Sequence, residues 1–181
     1  FYFDIRKDVL YCDSLNSKKR KDCVIVLNII LDCLLKWFAP IFVFTTEEIY
    51  TLLKKDDKSI HEKNFSKIPA QWKNENLEIK WKQLFRIKQK ANIAIEEKRA
   101  SKEIGSSLEA EIKIITDEKN FILLEGLDLA EYFITSKAEK SKSDNKEELT
   151  IKVLKTNGNK CPRCWKISNN KCVRCDEVLS E

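Results

Sequence analysis

Four cysteines near the end of the sequence have the spacing of a metal site. They form two C-x2-C pairs separated by seven residues: Cys161, Cys164, Cys172 and Cys175. Two residues between cysteines let both sulfurs face one point, and two such turns supply the thiolate tetrahedron that suits Zn²⁺. One structural zinc ion is predicted, since four protein thiolates leave no open position for catalysis. Two redox-active dithiols, or disulfides, remain the alternatives.

Basic residues surround these cysteines, and no acidic residue lies between Lys155 and Cys175. Positive charge favours thiolates, so one interpretation gives these residues only an internal role beside the metal. On the other interpretation they form a phosphate-facing surface, with an aromatic ring available to stack on a base. The second interpretation predicts RNA-binding residues around the cysteines: Arg163, Trp165, Lys166, Lys171 and Arg174.

The sequence contains no arrangement typical of a catalytic centre. It has no glycine-rich phosphate loop and no Ser/His/Asp constellation, so no catalytic residue is predicted. The only histidine, His61, lies in a polar segment. Cys12, Cys23 and Cys33 fall in or near apolar helical segments and are predicted to be small core residues.

Composition points to a soluble globular protein, and the length is enough for one ordinary domain or for two or three small ones. The chain has 181 residues, a formal net charge of +5 and 43% apolar residues. No apolar stretch approaches the roughly 20 residues that a membrane span needs. Without a signal peptide, seven cysteines are expected to be thiols or metal ligands in the cytoplasm. Because the sequence contains no Met, we expect a fragment of a longer protein.

Helical periodicity dominates the first hundred residues. Apolar residues recur every three or four positions from 22 to 38, and Pro40 follows. A second helix starts at Thr45 or slightly earlier, and the longest helix covers residues 76–102. Arg86 and Lys90 lie on the basic face of the longest helix, for which two interpretations stay open. Either this face is a solvated surface, or these residues contact an RNA backbone.

After Gly105 the periodicity changes from helical to that of a half-buried strand. Residues 108–114 and 149–153 alternate apolar and polar side chains. Between them we expect a short helix and a charged loop at 137–148. The predicted domains are a helical domain at 1–103, a small α/β domain at 104–157 and a metal-binding module at 158–181.

Four stretches of the chain resemble the C-terminal region of bacterial-type isoleucyl-tRNA synthetases. They are FYFDIRKDVLYCD (1–13), APIFVFTTEEIY (39–50), KEIGSSLEAEI (102–112) and CPRCW…CVRC (161–175). The resemblance implies a mainly α fold, in which an anticodon-binding bundle precedes an α/β junction domain and a four-cysteine zinc module. Tyr50 departs from the usual Trp, and the segment between the cysteine pairs is shorter than in many relatives.

The same resemblance implies a parent enzyme that attaches isoleucine to tRNA(Ile) with ATP and edits mischarged valine. The HIGH-type and KMSKS-type ATP motifs are absent, so this chain is not expected to catalyse the reaction alone. Its expected partners are tRNA(Ile) and the missing catalytic and editing domains of the same chain, and no membrane. Two other hypotheses are a structural zinc module for protein or interdomain contacts, and a dithiol redox protein.

Overall fold

The computed structural model describes residues 1–53, 58–143 and 149–180, which form two compact units. The first unit contains Phe1–Asp13 and Asn74–Glu181, and the second contains Ser14–Lys73. The division into three domains at 1–103, 104–157 and 158–181 was made from the sequence, and it stays a prediction. Within the described ranges, no helix has the length and apolar character that crossing a membrane requires.

The secondary structure is predominantly helical, as predicted, with a small mixed sheet. The helices are α1 (Tyr2–Cys12), α2 (Lys18–Phe38), α3 (Val43–Leu53), α4 (Glu75–Ala100), α5 (Glu118–Leu123), α6 (Leu129–Phe133) and α7 (Val173–Ser180). The strands are β1 (Ala110–Thr116), β2 (Lys137–Lys142), β3 (Thr150–Lys155), β4 (Asn159–Lys160) and β5 (Ile167–Ser168).

The second unit is built on α2 and α3. Ser17 caps α2, its hydroxyl accepting a hydrogen bond from the Arg20 backbone amide. The Glu47 carboxylate accepts hydrogen bonds from the Ser59 hydroxyl at 2.7 Å and the Ile60 amide at 3.0 Å. These bonds attach a 3₁₀ turn to α3. The buried core of this unit comprises Leu35, Ala39, Tyr50 and Ile60.

The first unit packs helices against one face of a three-stranded sheet. The strand order is β2-β1-β3, with β1 parallel to β2 and antiparallel to β3. Ile112 and Ile114 of β1 point into the core, while Lys113 between them is exposed. The opposite face of the sheet is therefore open to solvent. The core residues from the helices include Leu84, Ile87, Ala91, Ile95, Leu124, Tyr132 and Phe133.

The two strands expected from alternation are confirmed as β1 and β3, but the loop predicted at 137–148 is wrong in its first half. Residues Lys137–Lys142 form β2, and 144–148 lie outside the described residues. The sequence of β2 is charged and small, with no large apolar side chain, so it has no hydrophobic alternation. Its backbone pairs with β1, and that long-range pairing makes it a strand.

Candidate metal centre

The first cysteine pair lies in a tight turn, the first knuckle (residues 161–166). The Trp165 amide donates to the Cys161 carbonyl at 3.0 Å, and the Cys161 amide donates to the Lys166 carbonyl at 2.9 Å. The short β4–β5 hairpin supports this turn. A Cβ at Gly158 would lie 2.4 Å from the Ser168 carbonyl oxygen, so only glycine allows the two strands to approach this closely.

The second cysteine pair, the second knuckle (residues 172–175), lies at the start of α7. Cys172 precedes the helix, and its carbonyl accepts a hydrogen bond from the Asp176 amide at 3.0 Å. Cys175 is in the first turn and is buried. The unpaired amides and the dipole of a helix N-terminus favour negative charge, so this position suits thiolates.

The four sulfur atoms meet at one point between the two knuckles. The Sγ atoms of Cys161, Cys164, Cys172 and Cys175 all lie within 4.8 Å of one another. Cys164 Sγ and Cys172 Sγ are 3.8 Å apart, and a Zn–S bond of 2.3 Å gives a tetrahedron edge of about 3.8 Å. All four cysteines are free. The donor set therefore fits one tetrahedral, thiophilic metal ion.

The thiols differ in how readily they lose a proton. Burial raises the pKa of Cys161, but hydrogen bonds from the backbone of Cys164 and Arg163 and from neighbouring thiols outweigh it and set the pKa at about 7. Burial, together with the other thiols, raises the pKa of Cys175 to about 12. A metal must displace these protons, so its binding and the folding of the knuckles depend on pH.

Ion pairs dock the second knuckle onto α1. The Arg174 guanidinium donates to both carboxylate oxygens of Asp8, at 2.7 and 2.8 Å, and to Asp13 at 3.1 Å. Two parallel bonds between Arg and a carboxylate fix orientation as well as adding energy. Burial raises the pKa of Asp8, but Arg174 and the charge of Lys166 outweigh burial and hold the pKa below its usual range.

The first knuckle contacts the same end of α1. Arg163 donates to the backbone carbonyls of Cys12 at 2.9 Å and Tyr11 at 3.4 Å, where the helix leaves carbonyls unpaired. Lys166 Nζ lies 3.5 Å from Asp8. The buried Cys12 packs against the cysteine cluster, its thiol 3.7 Å from the Arg163 carbonyl. It is a core residue, as predicted for it and for the buried Cys23 and Cys33.

The seven residues predicted to bind RNA occupy different environments. Arg163, Lys166 and Arg174 contact α1. Trp165 is 59% exposed and has a positive φ of 63°, which is rare for a bulky residue. Lys171 is 85% exposed and pairs with Asp176 at 3.0 Å. Arg86 and Lys90, four residues apart on α4, are both exposed.

Sequence reasoning did not identify the α1 carboxylates as partners of the metal knuckles. Asp8 and Asp13 lie more than 150 residues from Arg174 along the chain, so no local pattern connects them. The one available signal was that the first thirteen residues carry three acids, Asp4, Asp8 and Asp13, at spacings of four and five residues. Nothing in the sequence indicated which cations these acids would meet.

The comparisons with known proteins agree with this arrangement. A family described as the anticodon-binding domain of tRNA ligase matches residues 1–114. The isoleucine–tRNA ligase of Pelagibacter ubique is 55% identical over 168 residues, which is 93% of this chain and 18% of that protein. The isoleucine–tRNA ligase of Agrobacterium fabrum is 39% identical over 178 residues, again 93% and 18%. The chain thus spans less than a fifth of the length of these relatives.

Proposed function

Since the chain belongs to the family of anticodon-binding domains of tRNA ligases, we propose that it is the tRNA-binding region of an isoleucine–tRNA ligase. The whole enzyme would attach isoleucine to tRNA(Ile) with ATP, using catalytic and editing domains elsewhere. The observation that carries this proposal is the family match together with identity across 93% of the chain to an isoleucine–tRNA ligase. The free thiols of all seven cysteines support a cytoplasmic location.

We propose that the metal is zinc and that its role is structural. Cys161, Cys164, Cys172 and Cys175 would hold it, and the sulfur spacing matches a zinc–thiolate tetrahedron. Zinc would close the two knuckles and contribute much of the folding energy of the C-terminal module. The residues of this chain that orient the module are Asp8 and Asp13, through Arg174.

Trp165 and Lys171 are the strongest candidates for direct RNA contact near the metal. Trp165 is exposed and is held with a positive φ, and strained backbone at an exposed aromatic side chain favours a functional role. An exposed indole can stack on an unpaired base, which is how proteins recognise loops of RNA. Arg163, Lys166 and Arg174 contribute indirectly, because their contacts with α1 orient the knuckles. Arg86 and Lys90 supply a second basic surface on α4.

Binding of two tRNAs tests this function. The metal-loaded chain is titrated with a tRNA(Ile) transcript and an unrelated tRNA transcript, at low and at physiological salt. We expect tighter, salt-sensitive binding of tRNA(Ile), because each neutralised phosphate releases counterions. Absence of binding to either transcript contradicts the proposal.

A purely structural zinc module is the second candidate, and one observation favours it. Arg163, Lys166 and Arg174 already have partners on α1, so part of the basic charge serves internal docking. The Trp165→Ala and Lys171→Gln variants separate the two candidates, since no hydrogen bond or ion pair joins either residue to α1 within the described part of the chain. Loss of tRNA affinity with full metal content supports RNA binding, and unchanged affinity supports the structural role.

A further inference from the structure

The open face of the three-stranded sheet carries lysines that the fold does not require. Lys113 of β1 lies directly opposite Lys152 of β3, and both are exposed. Like charges at opposite positions of an antiparallel pair destabilise a sheet. Lys152 and Lys155 have no ion-pair partner anywhere in the described ranges 1–53, 58–143 and 149–180. An anionic ligand would turn this unfavourable arrangement into a favourable one.

A half-buried carboxylate holds two of the ammonium groups near each other. The Glu111 carboxylate lies 3.6 Å from Lys113 Nζ and 3.4 Å from Lys137 Nζ. The Glu111 side chain is only 17% exposed, whereas those of the two lysines are about half exposed. Glu111 therefore holds the ammonium groups of Lys113 and Lys137 on the side facing the sheet and leaves their outer sides exposed to solvent.

Lys113, Lys137 and Lys155 border a cleft between the sheet and the β4–β5 hairpin. The cleft has a volume of about 510 Å³ and is lined by the apolar side chains of Leu154 and Ile167 and by the amides of Asn157 and Asn169. Thr156 also lines it, and its nine-tenths buried hydroxyl has no hydrogen-bond partner in the described part of the chain. The cleft thus combines cations, amide groups and a small apolar surface.

We propose that this cleft binds a single-stranded RNA segment, with its phosphates on the lysines and a sugar or base against Leu154 and Ile167. The inference rests on the proposed function and adds a second RNA contact, separate from Trp165. Charge complementarity carries it: the lining holds Lys113, Lys137 and Lys155 against one carboxylate, Glu111, and Glu139, which pairs with Lys137 at 2.9 Å, lies outside the lining. Amides can hydrogen-bond base edges or ribose hydroxyls, which an acidic peptide does not have.

The hairpin wall of the cleft depends on the metal module. The Ile167 amide donates to the Ser136 hydroxyl at 2.6 Å, and Ser136 in turn donates to the Leu108 carbonyl. Ser136 therefore fastens the hairpin to the sheet, while the first knuckle lies between the two hairpin strands. Metal binding would shape the cleft as well as the surface around Trp165.

The experiment measures the affinity of the metal-loaded chain for a labelled tRNA(Ile) transcript by fluorescence anisotropy, over a series of salt concentrations. The test variant is K113Q/K155Q, which replaces two lysines that line the cleft, and the matched control is K119Q/K142Q. The control removes the same charge at Lys119 of α5 and at Lys142, which lies over the Phe121 ring of α5. Metal content and circular dichroism verify that each variant is folded. A third variant, S136A, releases the hairpin without a change of charge.

We expect K113Q/K155Q to lower the low-salt affinity at least about tenfold and to make the slope of log K against log salt shallower by about 1.4, since each single-strand phosphate contributes about 0.7. The control should retain affinity and slope, and S136A should lower affinity with little change of slope.

Equal losses in test and control variants overturn the inference while the proposed function stands. Failure of the unaltered chain to bind is instead a failure of the proposed function. Displacement of the transcript by polyglutamate, in a manner abolished by K113Q/K155Q, assigns the cleft to acidic protein and also overturns the inference.

Discussion

Replacing Asp8 by asparagine is expected to undock the metal knuckles from α1 and to weaken RNA binding, although the change removes a negative charge. Asp8 accepts two charge-assisted hydrogen bonds from Arg174, at 2.8 Å or less, and lies 3.5 Å from Lys166. Asparagine is isosteric but offers one acceptor oxygen and no charge. The bidentate interaction is lost, and Arg174 retains only the single bond to Asp13.

The magnitude follows from the burial of this pair. The Asp8 side chain is 23% exposed and that of Arg174 is 35% exposed, so solvent screens the interaction in part. Exposed ion pairs contribute about 0–1 kcal/mol, and breaking a fully buried pair costs about 3–5 kcal/mol. An intermediate loss of about 2 kcal/mol is expected. Because the folded pKa of Asp8 is lowered, this contribution is complete near neutral pH and is lost as pH falls through that pKa.

The assay is urea unfolding of the metal-loaded protein, followed by a tRNA(Ile) titration. Asp4→Asn is the matched control on the same helix. Asp4 is 58% exposed, its ion pairs among the described residues are with Lys7 at 2.9 Å and the terminal amine of Phe1 at 3.9 Å, and its replacement should leave the unfolding midpoint nearly unchanged. If the knuckles must be docked to present Trp165, Asp8→Asn lowers RNA affinity. If only the loss of a negative charge mattered, Asp8→Asn would instead raise RNA affinity. Tighter RNA binding by Asp8→Asn, or a midpoint equal to that of the control, would refute the reasoning.

Three further predictions test the metal, the core and a half-buried amine. Cys172→Ser should abolish stoichiometric zinc, measured by atomic emission, whereas Cys23→Ser, outside the cluster, should keep one zinc per chain. Ile112→Ala, which empties a fully buried position, should cost about 3 kcal/mol in urea unfolding, and the partly exposed Ile115→Ala about 1 kcal/mol or less. Burial lowers the pKa of Lys88 to about 8 from 10.5, so the unfolded chain binds more protons between those values and stability should rise from about pH 8 to pH 10. Lys88→Met should remove that rise, and a flat profile in the unaltered protein would show that Lys88 is fully hydrated.

The convergence of the four cysteines could be predicted from the sequence because the information is local. The C-x2-C spacing restricts each pair of sulfurs to one turn, and the structure places all four within 4.8 Å. The helices α2, α3 and α4 and the strands β1 and β3 were likewise predicted from periodicity, whereas α1 and α7 were not. In each case the residues that define the feature are close together in the chain.

The docking contacts and β2 could not be predicted for the opposite reason. Arg174 was interpreted as a phosphate ligand because cations near cysteines have no preferred partner in the sequence, whereas the fold brings Asp8 within 2.7 Å. The strand β2 lacks hydrophobic alternation and is defined by its pairing with β1. Long-range pairing of charged segments leaves no periodic signal, so only the assembled fold reveals it.

An exchange of anticodons tests the central claim most directly. The affinity of the metal-loaded chain is measured for a tRNA(Ile) transcript and for the same transcript with its anticodon loop replaced by that of an unrelated tRNA. If the chain recognises the anticodon region of tRNA(Ile), the exchange lowers affinity by about tenfold or more, a difference of about 1.4 kcal/mol. Equal affinity for the two transcripts would contradict anticodon recognition by this chain.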